Sequence, residues 1–295
     1  MGVYMGIDCL PADWRICLAQ DETPLEWKHF QDDGVLQTYL QQACFRYPDI
    51  SIAVATSGEN RFMSLAQWRD EPVMGEQICE DAASFLLPLS LQGHLLPSVQ
   101  YLPTIAAHKR AMRPSLGSAA SICHIAYLLY QMRMQDAPWL ELTFYYLELL
   151  DNAYRLVVLQ HGQLVDGSGE WKVLPVADCR EVDSQKRKDV ERQALLEQLT
   201  RELAAMMAIH HIEDIVVLDH TTQPAALRKE VIIDHFADRY RFFHYPQLET
   251  ELADFEAAQG AALCAYGLSR PGLAAEVVRQ LFATTNAEHL NDHRQ

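Results

Sequence analysis

Few residues in this chain have the type and spacing to do chemistry. Asp8 and Glu148 each sit at the end of an apolar run, ahead of turn residues. A carboxylate there is either a turn residue or a group held at a sheet edge for use. His210, His211 and His220 are the best histidine cluster, but neighbours on a helix point about 100° apart and seldom share one ion. Lys109, Arg110 and Arg113 are the concentrated basic cluster of the first half, reading as an anion-facing wall or a solvated turn. Lys186-Arg187-Lys188-Asp189 reads as a solvated helix start. Gly260-Ala261-Ala262 puts small residues mid-helix, where another element or a flat ligand such as an adenine can come close. The seven cysteines are scattered and never form Cys-x-x-Cys, the pattern of buried thiols in a reducing cytoplasm. No Gly-x-Ser-x-Gly, Walker loop or His-Glu-x-x-His occurs, so hydrolase and P-loop chemistry have no support.

The elements that position these residues follow from periodicity. Runs at 3–8, 14–19 and 25–30 read as strands, 34–45 as an amphipathic helix and 50–55 as a strand buried on both faces. Helices are expected at 77–87 and 117–134, with a short strand at 99–102. The second half begins again: strands at 142–149 and 154–160, a third from 163, a helix at 189–210 and a buried strand at 212–218. A helix at 224–236, a strand at 239–244 and helices at 250–268 and 272–282 follow, with a polar tail from 284. In both halves an acidic residue ends the first strand and an aromatic-Arg pair opens the second: Asp8 then Trp14-Arg15, Glu148 then Tyr154-Arg155. A duplicated β-β-β-α-β-α unit makes two similar lobes facing a cleft.

The 295 residues suit two lobes. With 49% hydrophobic and 22% charged residues the composition is that of a globular chain. A net charge of −16 argues against nucleic-acid and membrane-surface partners. No apolar run reaches the ~18–20 residues that span a bilayer, and the first ten residues lack the pattern of a secretory signal. A cytoplasmic location is therefore expected.

Several segments, in order, resemble the actin-like ATPase superfamily, which includes sugar kinases, acetate kinase and Hsp70. Within it they are most similar to a prokaryotic family of predicted butyrate kinases. Val54-Ala55-Thr56-Ser57-Gly58-Glu59-Asn60 resembles that family's Pro-Ser-Gly-Tyr-Gly loop, and Leu102-Pro103-Thr104-Ile105 through Lys109-Arg110 its Pro-Thr-Val-Pro-x-x-Arg-Lys stretch. Arg113-Pro114-Ser115-Leu116-Gly117-Ser118-Ala119-Ala120-Ser121 stands where the family has Arg-Ile-Asp-Met-Gly-Thr-Ala-Asp-Lys. Gln163-Leu164-Val165-Asp166-Gly167 and Ala258-Gln259-Gly260-Ala261-Ala262 match two further segments.

The resemblance implies an α/β fold of two actin-like (ribonuclease H-like) lobes, residues 1–136 and 137–283, followed by a tail at 284–295. It implies ATP and Mg²⁺ in the cleft, Asp8 and Glu148 as the catalytic carboxylates with Asp8 toward the metal, and Ser57, Gly58, Gly117, Ser118, Gly260 and Ala261 toward the nucleotide. The sequence departs from the pattern at each phosphate contact. The first loop, Asp8-Cys9-Leu10-Pro11, lacks the Gly and Thr of Asp-x-Gly-Thr. The second, Leu149-Leu150-Asp151-Asn152-Ala153, has no glycine. Asp219-His220-Thr221-Thr222 replaces the Gly-Gly of the adenosine region, and Ala120-Ser121 replaces Asp-Lys. Two functions compete: a degenerate acyl-kinase-like protein with a binding or assembly role, and an active ATP- and Mg²⁺-dependent acyl kinase. The first implies a protein or small-molecule partner, and a homo-oligomer is compatible with either.

Overall fold

The computed structural model describes residues 2–10, 13–70, 86, 92–113, 115–172, 184–223, 226–246, 252 and 254–282. In β1 (Val3–Leu10), side chains alternate between two buried faces. Met5, Ile7 and Cys9 join the core that covers one face of the sheet, while Tyr4 joins the core on the other. β1 pairs antiparallel with β2 (Asp13–Gln20), which pairs with β3 (Thr23–Phe30). Helix α1 (Asp33–Arg46) follows, N-capped by Asp32, whose carboxylate accepts from the Val35 amide at 3.0 Å. It buries Leu36, Leu40 and Ala43, and β4 (Ser51–Thr56) then returns parallel to β1. The short β5 (Met63–Ser64), α2 (Leu65–Asp70) and β6 (Gln92–Leu95) complete a sheet ordered β3-β2-β1-β4-β6-β5.

Helices α3 (Ala107–Met112) and α4 (Ala119–Met134) lead to the second sheet. There β7 (Phe144–Leu150), β8 (Ala153–Gln160) and β9 (Gln163–Lys172) form an antiparallel meander. Helix α5 (Ser184–His210), β10 (Asp214–Asp219), α6 (Lys229–Phe236) and β11 (Arg241–His244) follow. β10 lies parallel to β7 and β11 parallel to β10. Read from its meander edge, this sheet runs β9-β8-β7-β10-β11, the same arrangement as β3-β2-β1-β4-β6. The duplication expected from the sequence is present.

Between the sheets lies a layer formed by α4, α7 (Glu256–Ser269) and α8 (Leu273–Phe282). Its core unites Ala53 and Ala55 of the first sheet with Tyr146, Val157 and Leu218 of the second. Helix α7, from the end of the chain, lies on β1, β2 and β4, where Cys17 and Ala19 meet Ala258 and Ala262. Close approach explains the small residues. A Cβ on Gly6 would come within 1.9 Å of the Ala258 carbonyl oxygen, and one on Gly260 within 2.0 Å of the Cys123 carbonyl oxygen on α4. Gly260→Ala must therefore push two backbones apart, and we expect a loss of about 1–3 kcal/mol in chemical denaturation. A change below a few tenths of a kcal/mol would contradict this packing.

Several expectations require correction. Residues 99–102 do not make a strand: Val99–Tyr101 is a 3₁₀ turn, and the parallel strand is Gln92–Leu95, whose Gly93 hides its β character. The helix expected at 224–236 begins only at Lys229, and the strand expected at 239–244 begins at Arg241. The helix expected at 77–87 falls outside the described residues except for Leu86, as does the tail at 284–295. Cys9, Cys17, Cys123 and Cys264 are buried unbridged thiols, as their scatter suggests. Among the described residues no helix is long and apolar enough to cross a membrane.

Candidate functional site

The repeated sequence signature becomes a repeated structural device. Asp8 stands directly across from Arg15 in the β1–β2 pair, and Glu148 directly across from Arg155 in the β7–β8 pair. Alternation turns Asp8 to the same face as Tyr4 and Gly6, and Glu148 to the same face as Tyr146. Both carboxylates therefore enter the layer between the sheets, where they are only 3% and 2% exposed.

The two halves use the device differently. Arg155 closes on its own strand pair, donating from Nη1 to Glu148 Oε1 at 2.9 Å and contacting Glu170. Arg15 turns away from Asp8: it pairs with Asp13 at 3.1 Å and donates to the Asp254 carbonyl at 3.0 Å. Asp8 Oδ1 is left buried without a hydrogen-bond partner among the described residues. Burial drives the Asp8 pKa up, only partly offset by the more distant positive charges of Arg15 and Arg155, and it rises to about 6. Burial acts on Glu148 in the same direction, but Arg155, His124 and His220 outweigh it, and its pKa falls to about 2.

A histidine pair completes the seam. His124 lies on the buried side of α4, its Nδ1 hydrogen-bonded to the Tyr146 hydroxyl at 3.0 Å and 4.0 Å from Glu148 Oε1. His220 follows β10 and is fixed by its amide donating to the Leu149 carbonyl at 2.9 Å. The two rings lie 5.6 Å apart, and His220 Nδ1 is 3.5 Å from Asp254 Oδ1. One potential ligand atom from each of His124, Glu148 and His220 lies within 4.8 Å of the other two. Burial lowers the His124 pKa to about 3, so it is neutral at neutral pH. For His220, burial acts downward, but the Asp254 hydrogen bond and the Glu148 charge raise its pKa overall.

The other residues singled out in the sequence make contacts of their own within the fold. Gly58 donates from its amide to Thr56 Oγ1 at 3.2 Å, and Asn60 Nδ2 contacts the same hydroxyl, so the loop carrying Ser57 is tied to the end of β4. Gly117 adopts φ 142° against Val99, where any Cβ would be strained. Ser118 caps α4, its hydroxyl accepting from the Ser121 amide at 3.3 Å. Gly260 and Ala261 are buried in the α4–α7 layer. The basic cluster, which is half-buried at Lys109 and Arg113 and exposed at Arg110, is met by acceptors of the chain itself. Lys109 pairs with Asp166 at 2.8 Å, Arg110 donates to the carbonyls of Leu102 and Ile105, and Arg113 pairs with Glu202 at 3.1 Å. His210 also joins Asp166, at 3.0 Å, so the expected histidine cluster is split and only His220 reaches the seam.

Two loops at the seam are bolted together. Asp151, in the β7–β8 turn, accepts from the Thr222 amide and hydroxyl, both at 2.7 Å, and from the Gln223 amide at 2.8 Å. Asp219 accepts from the Thr221 amide at 2.9 Å and the Lys229 amide at 3.1 Å. The amides of Thr221, Thr222 and Gln223 in the loop after β10 are thus taken by carboxylates of the chain itself. Neither His124 nor Asp254 stood out in the sequence. His124 is one polar residue in an apolar helix, and the only signal was that a buried histidine needs a partner.

No protein-family model matches the chain. No curated protein matches it by sequence. Solved structures match it in fold. The propionate kinase of Francisella tularensis superposes with a TM-score of 0.55 at 8% identity, covering 88% of this chain and 99% of that one. The acetate kinase of Entamoeba histolytica gives 0.49 at 7% identity, covering 74% and 82%. The ROK hexokinase of Thermus thermophilus gives 0.44 at 13%, covering 90% and 98%. Two mixed sheets, each flanked by helices and joined through an interlobe layer, define the chain as having the duplicated fold of the actin-like ATPases. At such identities the match defines the fold alone.

Proposed function

We propose that this chain is a degenerate acyl-kinase-like protein that has exchanged nucleotide turnover for a binding or assembly role. The observation that carries this reading is the carboxylate of Asp151, which accepts three hydrogen bonds from Thr222 and Gln223. These are the two loops where the resemblance would put a phosphate and an adenosine. An anionic ligand needs those amide donors free, and Asp151 both occupies them and adds negative charge beside them. A triphosphate with Mg²⁺ therefore does not fit the residues present. The finer kinship to the predicted butyrate kinases rests on the matched segments alone.

One observation favours the active kinase instead: among the described residues Asp8 Oδ1 has no hydrogen-bond partner, as in a carboxylate that organises a cation. Calorimetric titration with ATP·Mg²⁺ separates the two. We expect no saturable heat below millimolar nucleotide. Micromolar binding together with acyl-phosphate formation would establish the kinase and sink the degenerate reading.

A further inference from the structure

We propose that His124, Glu148 and His220 form a binding site for one divalent transition-metal ion, of the zinc class, at the seam between the interlobe layer and the second sheet. Their convergence is built by the fold. Glu148 and Leu218 are paired in register on neighbouring parallel strands, and His220 lies two residues beyond Leu218, on the same face. That face is covered by α4, which brings His124 down onto Tyr146. Three elements far apart in sequence thus deliver two imidazoles and one carboxylate to one place, with ligand atoms within 4.8 Å of one another.

The donor set has the right chemistry. Imidazole and carboxylate together suit zinc and related first-row ions, whereas Mg²⁺ and Ca²⁺ prefer oxygen alone. Ligand atoms of a tetrahedral zinc site lie about 3.3 Å apart for bonds near 2.0 Å. The 4.0 Å between His124 Nδ1 and Glu148 Oε1 is close to that spacing, and ligation through Nδ1 would replace its hydrogen bond with the Tyr146 hydroxyl. Each ligand is backed by a second group. Asp254 stands 3.5 Å from His220 Nδ1, Arg155 and Ser121 orient Glu148, and the Tyr245 hydroxyl holds the backbone of His124 through its carbonyl at 2.9 Å. A carboxylate behind a ligating imidazole fixes its ring and raises its basicity. The charge balance also favours a cation: Asp8, Glu148, Asp254 and Glu256 share the seam with two guanidiniums, Arg15 and Arg155.

The site is independent of nucleotide, and its test needs no activity. The full-length chain, stripped with chelator, is titrated with Zn²⁺ by calorimetry and with Co²⁺ by visible absorption. We expect one tight equivalent and the intense cobalt spectrum of a low-symmetry site. His220→Ala, at the edge of the seam, should abolish both. Asp254→Asn should retain the stoichiometry with about 10–100-fold weaker affinity, the size of effect seen for groups behind a ligand. His211→Ala, on an exposed neighbour, should change nothing. The proposal fails if the wild-type chain takes up no stoichiometric ion, or if His220→Ala binds as the wild type does. The wild-type titration decides even if a variant does not fold.

Discussion

Arg155→Met is expected to lower the unfolding free energy by about 3–5 kcal/mol at neutral pH in the presence of chelator. The reason is the charge left behind. Glu148 is 2% exposed, and among the described residues Arg155 supplies its close cation, at 2.9 Å. With the guanidinium gone, the carboxylate must either stay ionised in a low-dielectric interior or take up a proton. The pH dependence reveals this choice. In the wild type the Glu148 pKa is depressed from 4.5 to about 2, so its contribution is full above the unfolded value and fades as pH falls toward 2. The variant should lack that contribution at neutral pH and converge on the wild type in acid. Adding Glu148→Gln should restore much of the loss, because it removes the stranded charge. Urea denaturation of the four proteins in this double-mutant cycle measures the coupling. Strictly additive effects, or a single-variant loss below about 1 kcal/mol, would mean that the pair does not hold the seam.

Asp8→Asn should act in the opposite direction and stabilise the chain by roughly 3 kcal/mol near pH 7. The folded pKa of Asp8 stands at about 6 against 3.8 ordinarily. A group raised in this way favours the folded state fully below its unfolded pKa, and that advantage is lost as pH rises through the folded value. Above about pH 6 the ionised carboxylate is a net burden. The amide removes the burden, so the gain should shrink toward zero below about pH 4. Thermal or chemical unfolding across this range tests it. A destabilised variant at neutral pH would mean that Arg15 pairs with Asp8 in solution rather than with Asp13 and Asp254. Retention of a costly buried carboxylate is the pattern expected where a side chain serves something other than stability. Both expectations rest on the same asymmetry, one arginine closed on its carboxylate and the other drawn away.

Much of the scaffold was legible in the residues themselves. Runs of consecutive apolar side chains mark β1, β4, β7 and β10, since a strand buried on both faces can hardly be polar on either. The repeated acidic end and aromatic-Arg opening located both hairpins, because identical strand geometry needs similar residues at matching positions. Even the small residues of α7 announced a close crossing. The candidate site was only half legible. Asp8, Glu148, their arginines and His220 stood out, but His124 and Asp254 did not, and His210 proved to pair with Asp166 instead.

Local periodicity determined that there are two like halves and which carboxylates recur in their first strands, although β1 runs on past Asp8 to Leu10 and β7 past Glu148 to Leu150. Only the tertiary structure decided that α4 descends on the second sheet, bringing His124 to Glu148 and His220, and that Asp151 locks the loop after β10. Those contacts span tens of residues along the chain. They depend on helix docking and on which neighbour a flexible arginine or aspartate reaches first, and no short-range pattern records that competition.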